Sequence, residues 1–599
     1  MRTLLIVLIT STIALAQTTR PLLHHPGNVF VEGEQVTLPP STQPLRYFDY
    51  DNKQLDNVNN VPIGYYEART PDNKRYTTFA VIAPLKQTAS NQSPLAIDVA
   101  MAWFYKNPQQ QKDVISLLHL ANINHVRDRL SWPEMEPQRG KFADHNIYDD
   151  TAKLQSESNL RVLQVNHASP PWANPDGRRF PLDLRDAYNF NKAMAARWKG
   201  QVEAIEPWNE ADIDVFGGHT GSEMASMQKA SYLGLKAGNP ETIACQNVFA
   251  IARQTTLDDF AANEATAYFD TYNLHHYVPF EKYPTIYAQH RAISGGKPMW
   301  VTECSVTVNW ADEKTKEPDA EALRWQANRV AKVYSMSLHE GSAATFYFIL
   351  GHYVERTLQY GIIHEDLTPR PAYVALAAAG RYLADAKPMG RWKHEDPTVH
   401  GYLFRAKPDG EEKLVLVAWR QAKGDLKVKL NAPVEQMIDH LGRPRQGSWV
   451  GEFTLTGAPT YLIVPPALEH NIPVDPPPQA PPLNQDKPTT VVLQAVMPPE
   501  TIDLQQSAYA LAPDQDHELT LRAYNFGEKP ITADLTAEFP EAWKLELPKE
   551  TQVPPAGMNE VKVKLPKRAP SPTINPIKFR WSDALLSIRI ADTKSPPKH

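Results

Sequence analysis

Two cysteines in 599 residues, Cys245 and Cys304, are too few for a disulfide scaffold and lack the paired spacing of a zinc site. Each falls in an apolar, β-rich stretch, residues 242–249 and 299–306, so both are expected to be buried free thiols on strands that are not neighbours. Runs of five or more like charges are also missing, and the formal net charge is only -6. That leaves no electrostatic footprint for nucleic acid or an anionic membrane, so the partner is expected to be uncharged or weakly charged. No apolar run reaches the ~20 residues of a membrane span. The repeating βα region described below has no glycine-rich phosphate loop after its first strand, which argues against an open doubly wound sheet. That strand also lacks the His-x-His pair of metal-dependent barrel hydrolases.

What is present begins with Met1-Arg2, an apolar stretch over residues 4–13, and Ala14-Leu15-Ala16 before Gln17. This pattern predicts a signal peptide over residues 1–16, cleaved on export, and a secreted or periplasmic mature protein. The remaining length is too great for one core and suggests roughly four units of about 150 residues. Residues 17–92 carry short β-type runs between Pro, Asn, Asp and Gly clusters, as in an antiparallel sheet.

From residue 93 to 389 the rhythm changes to strands alternating with longer helical patterns. The strands are expected at residues 95–102, 124–130, 161–166, 202–206, 242–249, 270–277, 299–303 and 343–350. Eight such pairs predict an α/β fold, a TIM (β/α)8 barrel with accessory β-sandwich domains. Residues 390–465 revert to β and predict a sandwich that the 17–92 region completes. The stretch 466–490, with Pro476-Pro477-Pro478 and Pro481-Pro482, predicts a stiff spacer. Alternation over 491–599 predicts an immunoglobulin-like sandwich independent of the barrel.

A TIM barrel presents its reacting groups at the carboxyl ends of its strands. Two glutamates stand there: Glu210 in Glu206-Pro207-Trp208-Asn209-Glu210, after the fourth strand, and Glu303 in Trp300-Val301-Thr302-Glu303, ending the seventh. A glutamate among 68 acidic residues is ordinarily a solvated surface charge. These two close apolar strands, where an unpaired buried charge costs several kcal/mol unless pairing or function retains it. Three strand–helix units apart, they can face each other across the barrel mouth, as hydrolysis of a glycosidic bond requires of its carboxyl pair. His275 and His276 point to opposite faces of their strand, and His275, sharing a face with Tyr277, is the one expected at the mouth. Trp208 and Trp300 are expected to be packing residues.

With Val126-Arg127, Trp132, Glu136-Pro137 and Gly140 after strand two, His275-His276-Tyr277 on strand six, and the stretch from Tyr360-Gly361 to Ala372-Tyr373, these motifs make residues 93–385 resemble clan A of the glycoside hydrolases. Families 39 and 5 are the nearest in pattern, although Ala211 stands where both usually carry proline after the glutamate. The resemblance implies a retaining glycosidase acting on β-linked oligosaccharide or polysaccharide, with Glu210 as acid/base, Glu303 as nucleophile, and no metal or organic cofactor. It further implies that Asn209 binds the sugar hydroxyl next to the anomeric carbon, while Arg127 and Tyr277 hold Glu303. His167 and His275 are candidates for sugar hydroxyls or for orienting the carboxylates. Trp132, Trp172 and Trp310 are candidates to stack on sugar faces. The competing reading is a non-catalytic carbohydrate-binding or cell-surface protein on the same scaffold.

Overall fold

Eight parallel strands and eight long helices alternate between Leu95 and Tyr382 in the computed structural model, which describes residues 25–445, 452–540, 543, 545–548, 550–571 and 573–593. The signal-peptide segment, 1–16, lies outside the described residues. In chain order the pairs are β1 (Leu95–Asp98) with α1 (Pro108–Leu120), β2 (His125–Leu130) with α2 (Ile147–Glu157), β3 (Arg161–Asn166) with α3 (Leu184–Arg197), and β4 (Ala204–Glu206) with α4 (Gly221–Gly238). They continue with β5 (Ile243–Ala244) and α5 (Gln254–Ala261), β6 (Tyr272–His276) and α6 (Tyr283–Ile293), β7 (Met299–Cys304) and α7 (Ala320–His339), and β8 (Ser342–Tyr347) and α8 (Pro371–Tyr382). The sheet runs 5-4-3-2-1-8-7-6 in these numbers. Parallel bridges Cys245–Thr271 and Phe249–Leu274 then join the fifth strand to the sixth and close the ring.

Local chemistry sets the helix starts. Asn107 caps α1 ahead of Pro108, whose missing amide hydrogen costs nothing there. Capping boxes, Asn146 with Asp149 and Thr220 with Glu223, open α2 and α4. Inside the barrel, Trp300 and Phe346 pack against Ala96, Leu163, Ala204, Cys245 and Ala344, so small residues on neighbouring strands make room for two large rings. Trp208 and Trp300 are buried packing residues, and Trp132 is also fully buried, stacked on Phe190 at 4.5 Å. Cys245 and Cys304 are buried and free.

Around the barrel lie several antiparallel sheets. Val29–Val31, Arg75–Ile82, Gly64–Arg69, Arg46–Asp49 and Gln54–Leu55 form a five-stranded sheet, in that spatial order, with only the outer pair parallel. Among the described residues it pairs with no strand from beyond the barrel, so the two regions form separate sheets. The two regions meet instead through side chains, Tyr50 with His440 at 3.2 Å and Asp51 with Arg443 at 2.7 Å. Their apolar faces have separate places to go, since Val29, Tyr65, Ala80 and Ile82 join the barrel's own outer core.

The sheet that follows the barrel has six strands from Lys387–Trp392 to Val474–Asp475. It therefore overruns the expected 390–465, because Val474 and Asp475 pair with Trp392 and Arg391 at its edge. One face, with Tyr402, Val417 and Trp419, packs on the barrel, while the other, with Trp392, Leu403 and Leu416, packs against Val428 and Phe453.

Beyond the prolines, two sheets enclose a second core of Leu493, Leu521, Val563, Phe579, Trp581 and Ile588. This terminal sandwich is docked on the barrel and not held away from it. Ser226 donates to the Leu493 carbonyl at 2.9 Å and Lys229 to that of Leu585 at 3.1 Å, while Asn263 exchanges two hydrogen bonds with Ser587. Asp259 accepts from the Ser507 hydroxyl at 2.8 Å, and burial pushes its carboxyl up to about 7. The proline-rich stretch itself lies against the barrel, with the Asn484 amide donating to the Gly295 carbonyl at 2.7 Å. No described helix is long and apolar enough to cross a membrane.

Candidate active site

The carboxyl ends of the strands converge on one guanidinium. Arg127, in the middle of β2 and wholly buried, donates from Nε to Glu206 at 2.8 Å, from Nη1 to Asp98 at 2.9 Å and Glu303 at 2.5 Å, and from Nη2 to Asn209 at 2.8 Å. Arg129, two residues on and on the same face, donates to Asp98 at 2.7 Å. Asn273 on β6 donates to the remaining Glu206 oxygen at 2.7 Å. Burial alone would lower the Arg127 affinity for its proton, but the Glu206, Glu303 and Asp98 carboxylates outweigh it, so its charge is permanent. Burial pushes Asp98 up, with Arg129 and Arg127 opposing.

Glu303, at the end of β7, receives the Tyr277 hydroxyl at 2.5 Å as well as Arg127. Burial pushes its carboxyl up, but the adjoining His275 ring, the Arg127 and Arg129 guanidinium groups and the Tyr277 hydroxyl outweigh burial and hold it down at about 2. It is therefore ionised at neutral pH. Glu210 lies beyond β4 with a left-handed backbone, φ 45°, a conformation that a non-glycine residue keeps only where its surroundings fix it. Its neighbour Asn209 is held from both ends, its backbone amide on the Asn166 carbonyl at 2.9 Å and its side chain on Arg127.

His275 joins the two acids. Its Nδ1 is 2.8 Å from Glu210 Oε1 and 3.6 Å from Glu303 Oε2, while Nε2 meets the Thr302 hydroxyl at 3.1 Å. With the proton on Nδ1, the ring donates to Glu210 and accepts from Thr302. Ligand atoms of Glu210, His275 and Glu303 all lie within 4.8 Å of one another. Two carboxyl groups at such a separation fit nucleophile and acid/base in a retaining glycosidase, for which about 5 to 5.5 Å is usual. The same three groups could ligate a cation, but the Arg127 guanidinium on Glu303 opposes a second positive charge there.

His276, on the opposite face, is buried against the Tyr287 hydroxyl at 3.0 Å, and burial pushes its imidazole down to about 3. His167 follows β3 inside the same pocket, where burial and the Arg129 and Arg127 charges push its ring well below the ordinary range and keep it neutral. The structure thus brings together Glu210, Glu303, Arg127, Asn209, His275 and Tyr277, with His167 beside them. Trp172 and Trp310 make no ring contact or hydrogen bond to this group among the described residues. Trp172 is tied to the Glu136 carbonyl at 2.9 Å, and Trp310 has Lys316 over its ring at 4.0 Å. Asp98, Glu206 and Asn273 were missed from sequence; β1 ends at Asp98, inside the longer run 95–102 expected for it.

With the geometry in place, one solved structure aligns along nearly its whole length: a family 39 glycoside hydrolase from the gut symbiont Bacteroides cellulosilyticus WH2. It covers 73% of this chain and 99% of that one at a TM-score of 0.56 and 18% identity. At that identity the likeness is one of fold, a (β/α)8 barrel with accessory β-sheets. A family 30 endoxylanase from Clostridium papyrosolvens C71 (TM-score 0.46, 16% identity, 64% and 98% covered) and a family 39 β-xylosidase from Caulobacter crescentus (0.45, 14%, 63% and 98%) are more distant. No family model and no curated protein matches the chain in sequence.

Proposed function

We propose that the protein is a retaining glycoside hydrolase of β-linked glycans, exported by its N-terminal segment. The observation that carries this is the pair Glu210 and Glu303, bridged by His275 within 4.8 Å, with Glu303 locked as the ionised member by Arg127 and Tyr277.

In the first step Glu303 Oε attacks the anomeric carbon, and the carboxyl proton of Glu210 passes to the departing oxygen. Glu303, held ionised by Arg127 and Tyr277, is the attacking carboxylate, which leaves the proton-donating role to Glu210. Once Glu303 becomes an ester its charge is gone, which lets Glu210 act as a carboxylate and take a proton from the attacking water. Asn209, fixed by Arg127, presents its amide hydrogens to the sugar hydroxyl beside the reacting carbon. His275 orients Glu210 through both half-reactions.

The reading is tested by incubation with 2-fluoro glycosyl fluorides and cyclitol epoxides of several sugar configurations, followed by peptide mass mapping. Modification of Glu303 is expected. Absence of label across the whole panel, with no hydrolysis of aryl β-glycosides or β-glucans, xylans and mannans, favours a binding protein instead.

A further inference from the structure

An indole stands at the mouth that no part of the mechanism uses. Trp103 is 40% exposed, on a one-turn helix, Met101–Phe104, that leaves the end of β1. The turn is pinned to β2, because the buried Asp128 carboxylate accepts from the Ala102 amide at 3.0 Å. The ring is gripped on its inner side: the Arg129 guanidinium lies 5.5 Å from its centroid and the His167 ring 4.9 Å away. His167 in turn meets Phe216 at 5.8 Å, on the loop that carries Glu210. Trp103, His167 and Phe216 therefore form a continuous row leading from β1 across β3 to the acid/base loop.

An aromatic ring left this open in water forgoes burial of its apolar face. Its anchoring means that little side-chain freedom remains to be lost on binding. Carbohydrate supplies the complementary surface, a face of C–H groups on each sugar ring. Beside the indole, the His167 Nδ1 is buried without a partner among the described residues, and the ring is neutral, so it suits a hydroxyl and not an anion.

We infer that Trp103 is a stacking platform for a second sugar unit, so that the enzyme recognises a neutral oligosaccharide extending past the bond it cleaves. This rests on the hydrolase reading above. Trp103 determines which glycan length is used; it takes no part in bond breaking.

The test compares each aryl β-glycoside of xylose, glucose, mannose and galactose with β-1,4-linked tetrasaccharides of the same sugars, for the wild type, Trp103→Ala and Trp103→Phe. For whichever sugar is turned over, Trp103→Ala is expected to lower kcat/KM on the tetrasaccharide by about tenfold or more, chiefly through KM, the loss of roughly one stacked ring. The aryl glycoside should change by less than about twofold, and Trp103→Phe should retain most of the tetrasaccharide activity. Equal loss on both substrates, or none on either, overturns the platform while leaving the hydrolase intact. Turnover of nothing by the wild type sinks the hydrolase reading, and the platform falls with it. Should the alanine variant fail to fold, Trp103→Leu reads the same ratio.

Discussion

Replacing Arg127 by methionine leaves an unbranched apolar side chain and removes the guanidinium that three acidic groups share. In the wild type Glu303 is held at about 2, against an ordinary 4.5. A depressed carboxyl of this kind contributes stability above its unfolded value that is lost as pH falls through the folded one, here between about 4.5 and 2. The shift corresponds to about 3 kcal/mol. Without Arg127 the burial that opposes ionisation weighs more heavily on Asp98 and Glu303, for which Arg129 is the remaining guanidinium, and Glu206 keeps only the Asn273 amide among its side-chain partners. Removing one partner of a buried ion pair costs about 3–5 kcal/mol, which for a domain of this size lowers the melting temperature by roughly ten degrees at pH 7. The pH dependence should also change: Asp98 and Glu303 take up protons on folding more readily in the variant, so it gains more stability than the wild type as pH falls from 7 towards 5, a window in which the raised Asp259 already favours the wild type on acidification. Thermal unfolding followed by far-UV circular dichroism from pH 3 to 8 reads both effects. A variant melting within two or three degrees of the wild type, with a parallel pH profile, would refute the claim that this guanidinium neutralises the cluster.

Glu210→Ala should leave the first step intact for substrates with good leaving groups and be rescued by azide to a product of retained configuration, whereas Glu303→Ala should abolish turnover; product analysis by NMR decides. Tyr277→Phe removes a donor to a charged acceptor, worth about 1.5–3 kcal/mol, and since that hydroxyl holds the Glu303 carboxyl down, the acidic limb of kcat/KM should move up by roughly one to two pH units. An unmoved limb would mean that another group sets it. Ending the chain at residue 475 should lower the melting temperature of the barrel by several degrees, because Ser226, Lys229 and Asn263 lose partners that are now buried; unchanged calorimetry would show the docking to be energetically idle.

The barrel was legible because period-two and period-3.6 patterns alternate without interruption, and each expected strand overlaps one in the structure even where, as in β5, only two residues are regular. Glu210 and Glu303 were legible for a related reason: charge at the end of an apolar run is rare unless something receives it. His275 and His276 were separated by strand alternation alone. The docked sandwich was not legible, since Lys229 and Asp259 read as ordinary helix charges until the face opposite them is known. Nor were the tryptophans, because loop shape decides whether an indole is stacked beneath a lysine, like Trp310, or left open at the mouth, like Trp103.

The ring of strands is weakest between its fifth and sixth members, where regular ladder gives way to isolated bridges and the amides of Gln246, Asp270 and His275 carry the backbone bonding. A fluctuation that parts the staves there severs few hydrogen bonds, yet it pulls His275 on one side away from Glu210 on the other. The proton-handling acid would lose its guide while the nucleophile, moored to Arg127 across unbroken strands, stays put. The terminal sandwich, gripping α4 and α5 beside that seam, is placed to act as the hoop that keeps the cask shut.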